Sequence, residues 1–451
     1  MNFSKLAQQL DGELIGTDIA FSKLSTDTRT LVDGEVYLAL SGDRFDGNDF
    51  VADAVAKGAS GAIVSRELDT NISQLRVPDT HAALGEIAKL NRQHSSAIVI
   101  ALTGSQGKTT VKEMIASILS NQALTLVTHA NLNNTIGVPL TLLQLNDNHE
   151  YAVIEMGANR AGEIAFSADK ALPDIALITN ASAAHIEGFG SLQGIVEAKG
   201  EIIDSVFPTG TVVLNAADPN VSQWIERAGS RRVVLFSACR TLESVDYFAS
   251  TVLIDKSGCM KFVLNTPAGQ RQLRLNLLGW HSVGNAVAAA STAMEAGATL
   301  DDVEAGLSSL QPVKNRLEPK TAIQGSHLID DTYNASPNSF FAAIDVLMNF
   351  TGTRVVVAGD MRELGAESAS AHRMVGKYAA IAGVNKFWAV GEQSRPAVEA
   401  FGESARFFNS KEELVKACKA IANKDTVFLV KGSRGVQMET VVQELAADRG
   451  V

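Results

Sequence analysis

Cysteine is scarce in this sequence, with three residues in a chain of 451: Cys239, Cys259 and Cys418. They lie far apart, and no C-x-x-C pair occurs. A disulfide framework is typically built from an even set of closely spaced cysteines, and a zinc site from paired ones, so both are excluded. The three thiols are expected to be reduced packing residues.

Long hydrophobic runs are absent as well. No apolar stretch approaches the roughly 18 residues that span a bilayer. Residues 1–13 lack the continuous apolar core of a secretion signal. These two absences predict a cytoplasmic protein without an inserted membrane segment.

Positive charge is in deficit, since 39 Lys and Arg face 50 Asp and Glu and give a formal net charge of −11. This balance argues against nonspecific binding to nucleic acid or to an anionic membrane. Internal repeats, heptads and low-complexity tracts are missing too. What remains is the composition of an ordinary globular protein whose length suggests roughly three domains.

Alternating apolar runs and helix-length segments predict an α/β protein with three domains. Residues 1–90 predict a small α/β domain with a helix over 50–57. Residues 91–312 predict parallel strands followed by antiparallel ones over 247–278, and hence a mixed sheet. Residues 313–451 predict a Rossmann-like domain. The strand candidates are residues 35–40, 61–65, 97–102, 151–155, 174–179, 211–214, 354–359, 386–390 and 426–430.

Residues 103–110, TGSQGKTT, predict a nucleotide-phosphate loop, which makes the central domain P-loop ATPase-like. They follow an apolar run and precede a helix pattern with apolar residues at 111, 114, 115, 118 and 119. Glycines let backbone N–H groups approach phosphate oxygens, Lys108 adds positive charge, and Thr109 offers a hydroxyl to Mg²⁺. The candidate nucleotide-binding residues are Gly104, Ser105, Gln106, Gly107, Lys108, Thr109 and Thr110. The alternative is a plain glycine turn with Lys108 solvated.

The loop is shorter than the general G-x-x-x-x-G-K-[ST] pattern. That pattern requires glycine at position 102, which is Leu102, and the glycine stands at Gly104 instead. The shortened spacing reduces the number of nucleotide-binding families to which this loop can belong.

Polar residues follow two further strand candidates. Glu155 ends one strand, so it is expected at the carboxyl edge of the sheet as a Mg²⁺ ligand, or else as a helix cap. Asn180, Ser182 and His185 follow the next strand. His185 fits a substrate phosphate, a second metal ion or a purely structural role. Lys199 follows fourteen residues later, where a solvated surface lysine is the ordinary interpretation.

Three more segments cluster polar residues. Residues 131–139 offer Asn133, Asn134 and Thr135 for neutral hydrogen bonding, although turn chemistry explains part of this. Residues 315–319 and 329–337 lie beside the predicted junction of the last two domains. Ser336 followed by Pro337 predicts a helix start.

Taken in chain order, these segments resemble the Mur ligase family of peptidoglycan synthesis. Within it, the resemblance points to the branch that joins D-alanyl-D-alanine to UDP-N-acetylmuramoyl-tripeptide through an acyl-phosphate. The segments that carry it are STDTR at 25–29, ALSGDRFDGNDF at 39–50, TGSQGKTT at 103–110, EMG at 155–157, the interval from His185 to Lys199, GNA at 284–286, NRLEP at 315–319 and DDTYNASPNS at 330–339.

The resemblance implies roles for domains and residues. Residues 1–90, 91–312 and 313–451 would bind the UDP-sugar, ATP and the incoming amine in turn, with ATP and Mg²⁺ as cofactors. The implied catalytic residues are Lys108, His185, Lys199, Arg316 and Asp331. Nucleotide contacts beyond the loop are implied for Asn285 (adenine), Arg316 and Asp331. Metal binding is implied for Thr109, Glu155, His185 and a carbamylated Lys199. Substrate binding is implied for Asp27, Thr28, Arg29, Asn133, Asn134, Thr135 and Ser182.

Other interpretations stay open at this point. The protein could be another amide ligase of the same superfamily. Against the diaminopimelate-adding ligase stands the absence of its D-N-P-R motif. Against a folylpolyglutamate synthase stands the predicted N-terminal domain, since those enzymes lack a UDP-sugar domain. A nucleotide-dependent switch is a second. Residues 359–365, 391–394 and 431–434 are candidates for the amine site or ordinary turns. The third peptide residue is diaminopimelate or lysine, and the protein is expected to be a monomer.

Overall fold

The computed structural model describes residues 1–42, 45–182, 186–239, 245–255 and 258–447, and it confirms the predicted α/β class. Three main sheets follow one another along these residues. They match the small N-terminal unit, the central mixed sheet and the C-terminal unit predicted from sequence. The boundaries near residues 90 and 312 stay predictions.

The N-terminal sheet is small, with the order β1-β7-β6-β3-β2 in the described residues. Only the β1–β7 pair in it is antiparallel. Its strands are β1 (Glu13–Ile15), β2 (Leu24–Ser25), β3 (Val36–Leu38), β6 (Gly61–Val64) and β7 (Ser73–Arg76), and β4 (Ser41–Gly42) pairs with β5 (Phe45–Asp46) alone. The helices are α1 (Phe3–Gln9), α2 (Val51–Ala56) and α3 (Thr80–His94). The helix predicted over 50–57 is α2.

The central unit carries the long mixed sheet. Its strands are β8 (Ile98–Thr103), β9 (Thr125–Val127), β10 (Tyr151–Glu155), β11 (Ile175–Ile178), β12 (Thr211–Asn215), β13 (Arg232–Ser237), β14 (Tyr247–Ile254), β15 (Cys259–Thr266) and β16 (Gly269–Leu278). Its helices are α4 (Lys108–Leu119), α5 (Gly137–Leu142), α6 (Glu163–Ala171), α7 (Ile186–Phe189), α8 (Leu192–Asp204), α9 (Val221–Ala228), α10 (Trp280–Glu295) and α11 (Leu300–Ser309).

The order of this sheet in the described residues is β16-β15-β14-β13-β12-β11-β8-β10-β9. Strands β8 to β13 run parallel, and β14 to β16 are antiparallel, which confirms the predicted mixed sheet. The sequence analysis missed β13, whose first residue is exposed. The predicted hairpin turn at 255–258 includes Lys256 and Ser257, which lie outside the described residues.

Strand β8 lies between two helical layers, which explains its continuous apolar sequence. Ile100 and Leu102 enter the core shared with α4 and α10, while Val99 and Ala101 enter the core shared with α5, α6 and α8. A parallel strand covered on both faces buries every side chain. Its neighbours are β10 and β11, with Glu155 opposite Leu102. The carboxyl ends of the three strands therefore meet at one edge.

The C-terminal sheet has the order β17-β18-β22-β19-β20-β21 in the described residues and is parallel except for β17. Its strands are β17 (Glu318–Thr321), β18 (His327–Asp331), β19 (Thr353–Gly359), β20 (Lys386–Val390), β21 (Ala405–Phe408) and β22 (Thr426–Lys431). Its helices are α12 (Pro337–Met348), α13 (Ser368–Ala382), α14 (Arg395–Phe401), α15 (Lys411–Ile421) and α16 (Glu439–Leu445). Ser336 caps α12, as predicted.

The predictions about membrane segments and about the cysteines can be compared with the structure. Among the described residues no helix combines the length and apolarity needed to cross a bilayer. All three cysteines are free thiols, and Cys418 is fully buried, but Cys239 is exposed. The expectation that every thiol packs inside was therefore wrong for Cys239.

Candidate active site

The phosphate loop joins β8 to α4, as its sequence predicts. Gly104 and Gly107 have φ values of 154° and 82°. A Cβ at Gly104 would lie 1.9 Å from Thr179 Oγ1, and one at Gly107 would lie 2.6 Å from Asn285 Oδ1. Both positions require glycine, because a side chain would clash with a neighbouring element.

The residues after β11 hold this loop in shape. The backbone N–H of Ser105 donates to Asn180 O over 3.0 Å, and that of Gln106 donates to Asn180 Oδ1 over 3.0 Å. The Ser182 backbone N–H donates to Ser105 Oγ over 2.9 Å. Ser182 therefore supports the loop through its backbone. Its buried hydroxyl has no hydrogen-bond partner among the described residues, which leaves it available to a ligand.

Lys108 opens α4 and turns back over the loop. Its Nζ donates to Gly104 O over 2.7 Å. Burial lowers the pKa of Lys108, the nearby Glu155 carboxylate acts against this shift, and Arg316 adds to it. The site is poorly solvated. The electrostatic attraction between a bound phosphate and a cation held at the loop is therefore stronger than the same attraction in water.

Glu155, Asn133 and Thr109 form the candidate magnesium site. Asn133 Nδ2 donates to Glu155 Oε1 over 2.8 Å, and Thr109 Oγ1 lies 3.3 Å from the same oxygen. Glu155 is only 2% exposed, and its Oε2 has no hydrogen-bond partner among the described residues. An ionised oxygen buried in this way favours a cation, and Mg²⁺ binds through one or two carboxylates plus phosphates and water. The residues therefore fit the metal.

Arg316 reaches this site from the segment before the C-terminal sheet. Its Nη2 donates to Thr109 Oγ1 over 3.1 Å, and its guanidinium lies 4.0 Å from the Tyr333 ring centroid. The flanking residues Asn315 and Leu317 have φ values of 62° and 46°, a costly conformation for non-glycine residues. Such strain persists only where surrounding contacts impose it.

Asp331 and Lys431 provide some of the contacts that hold the backbone on either side of Arg316. They end the adjacent parallel strands β18 and β22 and are paired in register. Asp331 Oδ1 accepts the Leu317 N–H over 3.2 Å, and Asp331 Oδ2 accepts from Lys431 Nζ over 2.5 Å. Lys431 also donates to the Asn334 carbonyl over 2.8 Å. Asp331 thus lines the cleft, and it also fixes the segment that carries Arg316.

These residues surround a cleft of about 320 Å³ between the central and C-terminal sheets. Asn285 lines it together with His281 and Ser282 at the start of α10. A second cavity of about 170 Å³ adjoins the same loop. Lys108 and Asn133 line both cavities, so the lysine can contact ligands in each of them.

Lys199 lies in the second cavity. It is 4% exposed, and its Nζ is 5.7 Å from the Phe189 ring centroid. Burial, with a further contribution from Lys108, lowers its pKa to about 7. The interpretation as a solvated surface lysine is therefore wrong. His185, the other residue implied for this region, lies outside the described residues.

The remaining predicted substrate residues are spread more widely. Arg29 and Thr28 belong to the N-terminal unit, and Asp27 pairs with Arg29 over 2.7 Å. Hydrogen bonds from Arg29 lower the pKa of Asp27 to about 2. Lys57 Nζ donates to the Thr28 carbonyl over 2.6 Å. None of the three residues 27–29 is among the described residues lining either cavity.

Asn134 and Thr135 lie between the N-terminal and central units. Asn134 Oδ1 accepts the Gly137 N–H over 2.8 Å at the start of α5, and Asn134 also lines the second cavity. Thr135 Oγ1 is 3.1 Å from His81 Nε2 of α3. Turn chemistry therefore accounts for part of this segment, as the sequence allowed. Thr135 connects it to the N-terminal unit.

The sequence analysis missed Tyr333 and gave Lys431 no specific role. Tyr333 stands two positions after Asp331 within DDTYN, so an aromatic residue beside a candidate nucleotide contact was the available signal. Lys431 ends an apolar strand, as Glu155 does. The same strand-end argument that singled out Glu155 would have found it.

Comparison with known proteins agrees with this geometry. The Mur ligase family catalytic domain matches residues 21–92, the Mur ligase middle domain matches 102–293, and the Mur ligase glutamate ligase domain matches 315–434. The chain is 44% identical over 446 residues to the UDP-N-acetylmuramoyl-tripeptide–D-alanyl-D-alanine ligase of Escherichia coli strain K12. That alignment covers 99% of this chain and 98% of the relative.

Solved structures show the same similarity to Mur ligases. A crystal structure of MurF from Acinetobacter baumannii superimposes with a TM-score of 0.91 at 38% identity, covering 98% of this chain and 97% of that one. MurF ligase from Thermotoga maritima in complex with ADP gives 0.85 at 27% identity, covering 94% and 96%. With similarity along almost its whole length, this chain belongs to the Mur ligase family.

Proposed function

We infer that this protein is an ATP-dependent amide ligase of peptidoglycan synthesis. It joins D-alanyl-D-alanine to UDP-N-acetylmuramoyl-tripeptide through an acyl-phosphate and releases ADP and phosphate. The observation that carries this inference is the convergence of Lys108, Glu155 and Arg316 around Thr109 in one cleft. The near full-length similarity to a ligase of that name supports the choice of substrates.

The first chemical step brings two anions together, the γ-phosphate of ATP and the terminal carboxylate of the tripeptide. At about 4 Å and an effective dielectric constant of about 20, each pair of unit charges repels by roughly 4 kcal/mol. Lys108, held at the loop, and Arg316, hydrogen-bonded to Thr109, reduce this repulsion. Mg²⁺, held by Thr109 and Glu155 when bound, would supply further positive charge.

The second step requires a neutral amine and the exclusion of water from the acyl-phosphate. The cleft is lined from the central unit by Asn180 and from the C-terminal unit by Asn334 and Leu364, so the reacting groups meet between two units. Closure of the C-terminal unit over bound ATP would expel water and orient the amine. Arg316 and Asp331 couple that closure to the nucleotide in this proposal.

The second cavity is proposed to receive the acyl substrate. It is lined by Ser105, Lys108 and Asn134, and Thr135 continues this wall to α3 of the N-terminal unit. Asp27, Thr28 and Arg29 are proposed to hold the uridine diphosphate of the same substrate. We propose that the protein acts as a monomer in the cytoplasm.

Lys199 is expected to carry a carbamate in the active enzyme. Its neutral amine would attack the carbon of CO₂ to form an N–C bond and release a proton to solvent, giving a carboxylate near the metal site. Because burial lowers its pKa to about 7, the reactive neutral form increases as the pH rises through 7. Carbamate occupancy should therefore rise with bicarbonate and fall at acidic pH. Solution ¹³C NMR with labelled bicarbonate measures it directly.

The matched control for this prediction is Lys199→Met, which should show no carbamate resonance at any pH. Crystallographic density for an unmodified amine at high bicarbonate and a pH above 7 would contradict the prediction. Since Lys108 also contributes to the low pKa of Lys199, Lys108→Met should raise that pKa and shift carbamate formation to higher pH.

A coupled ADP assay tests the proposed function. The enzyme is incubated with ATP and UDP-N-acetylmuramoyl-tripeptide, with the third residue either diaminopimelate or lysine, in the presence and absence of D-alanyl-D-alanine. ADP formation should depend on both substrates and match the pentapeptide product. ATP hydrolysis at the same rate with and without the dipeptide would instead favour a nucleotide-dependent switch.

A further inference from the structure

A loop of the C-terminal unit brings a cation to the cleft. Residues 360–364 leave the carboxyl end of β19, and Arg362 and Leu364 line the cleft that also contains Lys108 and Arg316. Ligands bind at this edge of parallel sheets. The loop therefore borders the cleft in which the proposed reaction takes place.

Three hydrogen bonds join the loop to its neighbours, and a fourth orients the His372 ring. The Met361 N–H donates to Nε2 of buried His372 over 2.9 Å, and His372 Nδ1 lies 2.8 Å from the Ser368 carbonyl. Burial lowers the pKa of His372, which keeps the ring neutral and its Nε2 an acceptor. The Arg362 N–H donates to Ser433 Oγ over 2.9 Å, and the Ser433 N–H donates to the Asp360 carbonyl over 3.0 Å. The backbone of Arg362 is thus held while its side chain is exposed.

The Arg362 guanidinium lies against the backbone of Gly435. A Cβ at Gly435 would be 2.5 Å from Arg362 Nη1, so the guanidinium packs closely on this glycine. In the described part of the chain, the guanidinium forms no hydrogen bond or ion pair. Each of the other cations of the cleft has at least one hydrogen-bond partner, although the buried Nε of Arg316 has none among the described residues. Lys108 contacts the phosphate loop, Arg316 contacts Thr109, and Lys431 pairs with Asp331.

We propose that Arg362 binds the C-terminal carboxylate of the incoming dipeptide. This proposal rests on the proposed function, in which the dipeptide amine attacks the acyl-phosphate while its carboxylate remains unreacted at the other end. A guanidinium offers parallel N–H donors that match a carboxylate in charge and geometry. Holding that end on the fixed loop leaves the amine free to react and favours dipeptides with a free carboxylate.

The test compares D-alanyl-D-alanine with its C-terminal amide, using ADP formation by the full-length enzyme. The wild-type enzyme should prefer the free acid by about 10- to 100-fold in kcat/KM, the range for a hydrogen bond to a charged group. Arg362→Met should remove that preference by raising the KM for the acid, with the KM for ATP unchanged. Arg362→Lys should retain part of the preference, because it keeps the charge without the paired donors.

Arg373→Met is the matched control, since Arg373 is also exposed on this unit but is not among the described residues lining the cleft. A preserved acid preference in Arg362→Met, or a rise only in the KM for ATP, would overturn the proposal and favour a nucleotide contact. Thermal unfolding identifies a folding defect, and Arg362→Lys then decides the question. If the wild-type enzyme forms ADP at the same rate with and without the dipeptide, the result contradicts the proposed function and not only the role of Arg362.

Discussion

Replacing Lys108 by alanine is expected to remove ADP formation and ligation together. The side chain closes the phosphate loop through its bond to Gly104 O and lines both cavities, so its charge acts on the phosphate and on the acyl substrate. Loss of one preorganised donor of this kind costs about 100- to 1000-fold in kcat. The measurement is steady-state ADP release alongside chromatographic detection of the pentapeptide product.

Lys419→Ala is a suitable control for this change. Lys419 forms a surface pair with Glu444 over 2.9 Å, and both side chains are largely exposed. Such pairs contribute at most about 1 kcal/mol to stability, so this variant should keep full activity. Retained ligation in Lys108→Ala, with thermal unfolding unchanged, would disprove the assignment of the phosphate loop.

The strand, loop and helix around residues 103–110 could be predicted because their sequence signals are local. Gly104, Gly107 and Lys108 are close in the chain, and the requirement for glycine at two positions follows from backbone geometry. The apolar pattern of α4 and the Ser336 cap of α12 are local in the same sense. Spacing alone was therefore enough to place these features.

Contacts between distant segments could not be predicted this way. Thr109 and Arg316 are 207 positions apart, and their hydrogen bond depends on how the C-terminal sheet packs on the central one. The backbone that presents Arg316 has positive φ at Asn315 and Leu317, and neither residue type signals this as a glycine would. The position of Arg362 at the cleft likewise depends on how the C-terminal unit packs against the central one.

Asn133 shows how one residue can fit more than one role. The resemblance implies a contact with the muramoyl group, and turn chemistry offered an alternative. In the structure its side chain donates to Glu155 and lies between the two cavities. Its contact with Glu155, the candidate metal ligand, depends on the pairing of β9, β10 and β8, which sets the loop after β9 beside the end of β10.

Replacing Lys431 by methionine is expected to destabilise the C-terminal unit by about 3 to 5 kcal/mol, the usual loss when one partner of a buried ion pair is removed. Lys431 is 2% exposed and Asp331 is 9% exposed, so methionine would leave the Asp331 carboxylate buried without its counter-ion. Activity should fall as well, because Asp331 holds the Leu317 N–H beside Arg316. The denaturant dependence of amide hydrogen exchange in β18 and β22 measures the unfolding free energy of this unit.

The double variant Lys431→Met with Asp331→Asn separates the buried charge from packing. An asparagine at position 331 keeps an oxygen for the Leu317 N–H but carries no charge, so most of the lost stability should return. Lys419→Met, which breaks an exposed pair, should change the unfolding free energy by less than about 1 kcal/mol. If the double variant is as unstable as Lys431→Met, the loss comes from the packing of the lysine over the Phe340 ring, 5.6 Å from Nζ, and not from an uncompensated carboxylate.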